Sequence, residues 1–201
     1  PQSSYNFENK WVEGQNIWTN LHKSKDLWTN SGAKFDNSGI RFPFFKFWKT
    51  IYVESEFKLK RPCMIEGEIN AFKGLKGNFE AKECNMSLFH LCRRNIKGEL
   101  NNPLDFNSGY TISVSPKDGE RKIICYLNGE VLETRTYEAK NYKKDKLHFK
   151  IEANEIDTKY YFEGDCIHTI PVSLSGHKFN EGYFMFDGTN RWISNVFAQQ
   201  F

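Results

Sequence analysis

The feature that most constrains the fold is the stretch at 147–172, LHFKIEANEIDTKYYFEGDCIHTIPV. Leu147, Phe149, Ile151 and Ala153 alternate with His148, Lys150 and Glu152, the period of a strand with one buried face. Beyond an Asn154-Glu155 turn, Ile156, Thr158, Tyr160 and Phe162 alternate with Asp157, Lys159 and Tyr161. Glu163-Gly164-Asp165 predicts a second turn, where Gly164 takes positive φ at little cost, and 166–172 returns as a third strand. Such a ribbon with one apolar face needs a second layer to cover it.

The remaining strands follow from the same period. Residues 33–35 and 40–42 read as a hairpin around Asn37-Ser38-Gly39. In 50–59, Ile51, Val53, Ser55, Phe57 and Leu59 point one way, and Tyr52, Glu54, Glu56 and Lys58 the other. Lys60-Arg61-Pro62 predicts a short turn, so 63–71 should return antiparallel beside 50–59. Glu66, Glu68 and Asn70 would then share an outer face with Glu54 and Glu56. Further strands are expected at 87–93, 110–115, 121–127, 131–137, 182–186 and 192–199, with Asn128-Gly129 as a type I′ turn. No capped segment carries apolar residues at i, i+3, i+4 and i+7 over three turns. The expectation is all-β: a two-sheet antiparallel β-sandwich of jelly-roll type with little or no helix. A chain of 201 residues fits one such domain, with 1–32 (Trp11, Trp18, Trp28) as an arm packed on the sandwich.

Charge excludes some partners. Lys and Arg number 28 against 25 Asp and Glu, interspersed, for a net charge of +3, so no nucleic-acid partner is inferred. No run of about eighteen apolar residues exists to span a membrane. The chain begins at Pro1, compatible with a removed leader, and Asn85-Met86-Ser87 is a glycosylation sequon. A secreted or extracytoplasmic protein is therefore the expectation, with a cytosolic one still open. Of five cysteines, Cys125 alternates with Ile123 and Leu127 as a buried thiol. The other four could form two disulfides or stay reduced.

Candidate chemistry comes from carboxylates and aromatics. Across a 50–71 hairpin, Glu54, Glu56, Glu66 and Glu68 could meet, and Glu56 with Glu68 would supply the acid and base of glycoside hydrolysis. A register one step away pairs Lys58 with Glu66 instead, an exposed ladder of little chemical consequence. The run Phe42-Pro43-Phe44-Phe45-Lys46-Phe47-Trp48 is the densest aromatic segment and offers Trp48 as a platform. Asp187-Gly188-Thr189-Asn190, or Asp105 with Asn107, could offer oxygen ligands to calcium, although such clusters also make plain turns. The polar connection 94–109 is long enough to be a site loop.

Residues 110–201 resemble the concanavalin A-like lectin/glucanase superfamily, with weaker likeness at 50–71. The resemblance lies in Tyr126-Leu127-Asn128-Gly129-Glu130-Val131-Leu132 and in the ending Gly182-Tyr183-Phe184-Met185-Phe186 followed by Trp192-Ile193-Ser194-Asn195-Val196-Phe197. It implies a jelly roll that binds glycans, cleaves polysaccharides or binds proteins. The glucanase branch's acidic strand is approached only by Glu66-Gly67-Glu68. Phe89-His90-Leu91 and Tyr161-Phe162-Glu163-Gly164 are similar to strands of the alginate-lyase branch. No catalytic residue carries over from either branch. Three functions are expected in order. The first is a lectin-like glycan-binding module using Tyr52, Glu54, Asn70, His90, His148, Tyr161 and Trp48. The second is a polysaccharide hydrolase or lyase using Glu56 with Glu68, or His90 with Tyr161. The third is a protein-interaction domain using 42–48.

Overall fold

The computed structural model describes residues 3–5, 11–13, 17–18, 28–30, 32–36, 39–42, 51–70, 84–90, 108–117, 120–138, 146–175, 179–188 and 191–201. The strands in these segments are β1 (Ser3–Tyr5), β2 (Trp11–Glu13), β3 (Ile17–Trp18), β4 (Trp28–Asn30), β5 (Lys34–Asp36), β6 (Gly39–Phe42), β7 (Ile51–Ser55), β8 (Leu59–Lys60) and β9 (Cys63–Asn70). They continue with β10 (Cys84–His90), β11 (Tyr110–Lys117), β12 (Glu120–Leu127), β13 (Glu130–Thr136), β14 (Lys146–Ala153), β15 (Asp157–Phe162), β16 (Asp165–Pro171), β17 (Glu181–Gly188) and β18 (Arg191–Gln200). A single turn of helix, α1 (Val172–Ser175), falls where the sequence predicts strand end and turn.

Two antiparallel sheets form the sandwich. Sheet I runs β13-β12-β11-β10-β17-β7-β4, with β8 also paired to β17; sheet II runs β16-β15-β14-β9-β18-β6-β5, with β3 also paired to β18. The all-β, two-sheet expectation holds. The constraining stretch folds as predicted: β14 buries Leu147, Phe149, Ile151 and Ala153, and Phe149 lies opposite Phe162 in β15. Glu163 and Gly164 take φ of 50° and 85°, and Asn128 and Gly129 take 50° and 85°, the two positive values of type I′ turns. Ile156 alone leaves the predicted inward row; it is 75% exposed, in the turn before β15.

The core lies between the sheets. Phe149 of sheet II meets Phe186 of sheet I edge-on at 6.3 Å, and Trp28 meets Phe184 at 5.2 Å with perpendicular rings. Burial of each such ring stabilises the fold by about 2 kcal/mol. Gly67 is the thin point of this layer, because a Cβ there would sit 3.1 Å from Ile193 Cγ2 and 3.3 Å from Phe186 Cε1. The N-terminal segments join the sandwich through β4 at the edge of sheet I and β3 against β18.

The predicted 50–71 hairpin does not form. β7 pairs with β17 and β4 in sheet I, whereas β9 pairs with β14 and β18 in sheet II. Between them β8 still pairs with β17, so the chain changes sheets at Arg61-Pro62, a cis peptide bond. The physical reason is that β7 is buried on both faces, Ile51 through Ser55, and serves as an inner strand of its own sheet. Arg61 braces the crossing. Its Nη1 donates to the carbonyls of Asn154 (2.7 Å) and Asp157 (2.9 Å), and its Nη2 to Thr158 Oγ1 (2.8 Å) and the Tyr110 hydroxyl (3.0 Å). The guanidinium also lies 5.5 Å from the ring centres of Phe89 and Tyr110, so it ties sheet I to the β14–β15 turn.

Candidate functional site

The outward face of sheet I is polar across four adjacent strands. Alternation in β10 sends Cys84, Met86 and Leu88 inward and Asn85 and Ser87 outward; β11 likewise turns Ile112 and Val114 inward and Thr111 and Ser113 outward. Register then aligns Ser113, Asn85, Asp187 and Tyr52 in one row and Thr111, Ser87, Met185 and Glu54 in the next. Asn85 Nδ2 donates to Asp187 Oδ1 at 2.7 Å, and the hydroxyls of Ser87 and Thr111 share a 2.7 Å hydrogen bond.

A bulge completes the layer. Phe89 has φ of 58°, and both Leu88 and Phe89 enter the core, so the next residue, His90, returns to the outward face opposite Tyr183. His90 Nδ1 is 3.0 Å from Glu54 Oε2. The imidazole is fully covered, while a tenth of the Glu54 side chain stays open to solvent. A carboxylate this enclosed needs such a partner, because stripping its water without one costs several kcal/mol, order-of-magnitude. Beside the pair, the half-buried Tyr183 ring carries Lys58 Nζ 5.3 Å from its centre. The row of hydroxyls is closed, with Ser87, Thr111 and Ser113 buried. What reaches solvent is the open end of Glu54, the Tyr183 ring and Lys58, an acceptor, an aromatic face and a cation that can meet a polyhydroxylated ligand.

The outward face of sheet II is more open. Glu66 and Glu68 of β9 lie opposite Lys150 and His148 of β14, and Lys150 lies opposite Tyr161 of β15. His148 Nε2 is hydrogen-bonded to Glu66 Oε2, and Lys150 Nζ sits 4.4 Å from the Tyr161 ring centre and 3.6 Å from Glu152. Partial desolvation and then the Glu152 carboxylate raise the Tyr161 phenol above its ordinary range. Glu68 Oε1 accepts from Asn195 Nδ2 at 3.1 Å, and Asn70 Oδ1 accepts from the Trp192 backbone at 3.0 Å.

The residues named from sequence thus divide between opposite faces. Tyr52, Glu54 and His90 come together on sheet I; Glu68, Asn70, His148 and Tyr161 lie on sheet II. Glu56 is exposed just beyond β7 in sheet I and cannot oppose Glu68 across a hairpin, and His90 and Tyr161 are on different sheets. Both proposed catalytic pairings are therefore divided by the sandwich. The alternative Lys58–Glu66 ladder is absent too, since Lys58 faces Tyr183 and Glu66 faces Lys150. Trp48 and the rest of 43–48 lie outside the described residues, and Phe42 is a core residue, 1% exposed. Asn85, Ser87, Thr111 and Tyr183 join the sheet I face without being among the site residues expected from sequence; their alternation with apolar neighbours is the signal that marks them.

Other expectations are settled locally. Cys63, Cys84, Cys125 and Cys166 are not disulfide-bonded, so the two-disulfide option is not realised among them; Cys92 is outside the described residues. Burial raises the Cys63 and Cys84 thiols and pushes Cys125 up to about 12. The sequon is spoken for, with the Asn85 amide bonded to Asp187 and Ser87 fully buried. Asp187, offered as a calcium ligand, accepts both Asn85 N–H groups on Oδ1, and no cluster of three His, Cys, Asp or Glu suited to a metal occurs among the described residues. Asp105, Asn107, Thr189 and Asn190 lie outside them. Among the described residues, no helix is long and apolar enough to cross a membrane.

No family model matches the sequence, and no curated protein matches it. Solved structures do share the fold. The carbohydrate-binding module CBM66 from Bacillus subtilis is 17% identical with a TM-score of 0.55, covering 87% of this chain and 96% of its own. A Bacillus subtilis protein of unknown function with a galectin-like fold is 11% identical, TM-score 0.61, covering 94% and 97%. The exoplasmic/lumenal domain of VIP36, in its Ca2+/Man2-bound form, is 11% identical, TM-score 0.62, covering 92% and 88%. These likenesses are of fold, and they bear out the two-sheet β-sandwich expected from the sequence.

Proposed function

We propose that this protein is a glycan-binding module whose saccharide rests on the outward face of sheet I. The observation that carries this reading is the Glu54–His90 pair at 3.0 Å, set over a buried polar layer of β11, β10, β17 and β7, which leaves one end of the carboxylate open beside the half-buried Tyr183. Glu54 accepts a ligand hydroxyl through its solvent-open end, His90 fixes the carboxylate from the same face across β17, and the Tyr183 ring supplies a face for the sugar's C–H groups. Likeness in fold to a carbohydrate-binding module and to the VIP36 exoplasmic/lumenal domain in its Ca2+/Man2-bound form supports the same class. Binding is favoured over turnover because each catalytic pairing expected from sequence is split between sheets. An extracytoplasmic setting belongs to this proposal, since the VIP36 domain is exoplasmic/lumenal. Glycan-array screening followed by calorimetry tests it. The expected result is saturable binding of at least one glycan, weakened about tenfold or more by Glu54→Gln with the fold retained. An array on which nothing binds the wild-type protein overturns it, and release of reducing ends from a bound glycan replaces binding with hydrolysis.

A further inference from the structure

Among the described residues, Asn70 and Ser194 each carry a buried polar atom with no partner on the outward face of sheet II. Asn70, 2% exposed, uses Oδ1 to accept the Trp192 backbone N–H, which fixes the amide and leaves Nδ2 without an acceptor. Ser194, 3% exposed, has no partner for Oγ. Each such group costs about 1–3 kcal/mol if left unmatched. Their closeness is the informative point. Ile193 pairs with Ile69 in the core, and Ser194 lies opposite Glu68, so Asn70 and Ser194 flank the same outward stretch of the β9–β18 ladder. Glu68, only partly buried, has one oxygen on Asn195, and half-buried Trp192 stands on the same face as Ser194, opposite Arg41 of β6. Gly39 permits β6 to approach so closely that a Cβ there would fall 2.2 Å from the Ile193 carbonyl oxygen, so this stretch of β18 is gripped from both sides.

We propose that Trp192, Asn70, Ser194 and Glu68 form a second saccharide subsite, on the face of the sandwich opposite the Glu54–His90 layer. An unmatched amide donor, an unmatched hydroxyl, a carboxylate acceptor and an indole are the groups that a hexose ring satisfies at once. Its hydroxyl oxygens accept from Asn70, its hydroxyl hydrogens go to Glu68 and Ser194, and its C–H face lies on the indole. The competing occupant is ordered water, which would match the two polar atoms and need no indole. None of these four residues belongs to the sheet I floor, so the two sites stand or fall separately.

The test follows the indole N–H resonance of Trp192 by NMR during titration with the methyl glycosides of glucose, mannose, galactose and N-acetylglucosamine, each to tens of millimolar, an excess chosen for weak single-ring binding. The expected result is a saturable shift with at least one glycoside. Ser194→Ala weakens that binding about tenfold without lowering the thermal midpoint, because its hydroxyl makes no bond within the fold; Asn70→Asp, which keeps Oδ1 and removes the donor, does the same to binding. Glu54→Gln leaves the shift in place. A Trp192 resonance unmoved by all four glycosides overturns the subsite, whether or not Glu54-dependent glycan binding is present. A shift abolished by Glu54→Gln also overturns it, by showing a single site. A lower midpoint in Ser194→Ala with unchanged binding identifies a structural water and overturns it as well.

Discussion

Gly182 lies against the bulge at Phe89 so closely that a Cβ on it would come within 2.6 Å of Phe89 Cα. Only glycine allows β17 to pass β10 where the strand turns two consecutive side chains, Leu88 and Phe89, into the core. The His90 side chain reaches Glu54 because of that bulge. Gly182→Ala is therefore expected to lower stability by about 2–3 kcal/mol, since backbone rather than a flexible side chain must move. Urea unfolding measures the loss. An unchanged midpoint would mean that the bulge is pliable.

Removing His90 strands a carboxylate. His90→Ala is expected to destabilise the fold by roughly 2 kcal/mol or more, while Glu54→Gln, which can still hydrogen-bond the imidazole, costs less. A double-mutant cycle with Glu54→Ala and His90→Ala should show a coupling well above the few tenths expected of surface pairs. Strict additivity in that cycle would deny the pair its structural role.

Arg61 reaches both sheets through a planar fork. Lys in its place keeps the charge but cannot reproduce five contacts with two nitrogens, so Arg61→Lys should cost about 2 kcal/mol or more. Thermal unfolding reads the effect, and methionine at the same position separates charge from shape.

The buried thiols make the protein sensitive to alkali. Burial pushes Cys125 from an ordinary value of 9.0 up to about 12. Above pH 9.0 the unfolded chain sheds this proton while the folded one keeps it, so stability falls as pH rises. The slope contributed is about 1.4 kcal/mol per pH unit and ends near the folded value. Cys125→Ala should flatten the stability profile between pH 9 and 11, a range of about two units, relative to wild type. An unaltered profile would assign the alkaline loss to other groups.

Thiol accessibility separates the cysteines in the native state. Peptide mapping after brief alkylation at pH 8, a standard mildly basic condition of order one unit below an ordinary thiol, should label Cys166 and spare Cys63, Cys84 and Cys125. Labelling of Cys84 before Cys166 would mean that the end of β10 opens easily.

Much of this architecture was present in the order of residues. The alternation at 147–172 set three strands and their buried faces, and Asn128-Gly129 and Glu163-Gly164 set two turns through their tolerance of positive φ. A strand's period of two states which side chains share a face of that strand, and nothing in it states which strand lies alongside. That choice fell to the closing of two sheets over one core. It sent β7 and β9 to opposite layers, parted Glu56 from Glu68, and brought Glu54 to His90, 36 residues away. The unmatched atoms of Asn70 and Ser194 were likewise decided only there, because a side chain's hydrogen-bonding need is met or left open by neighbours that packing, and not chain order, supplies.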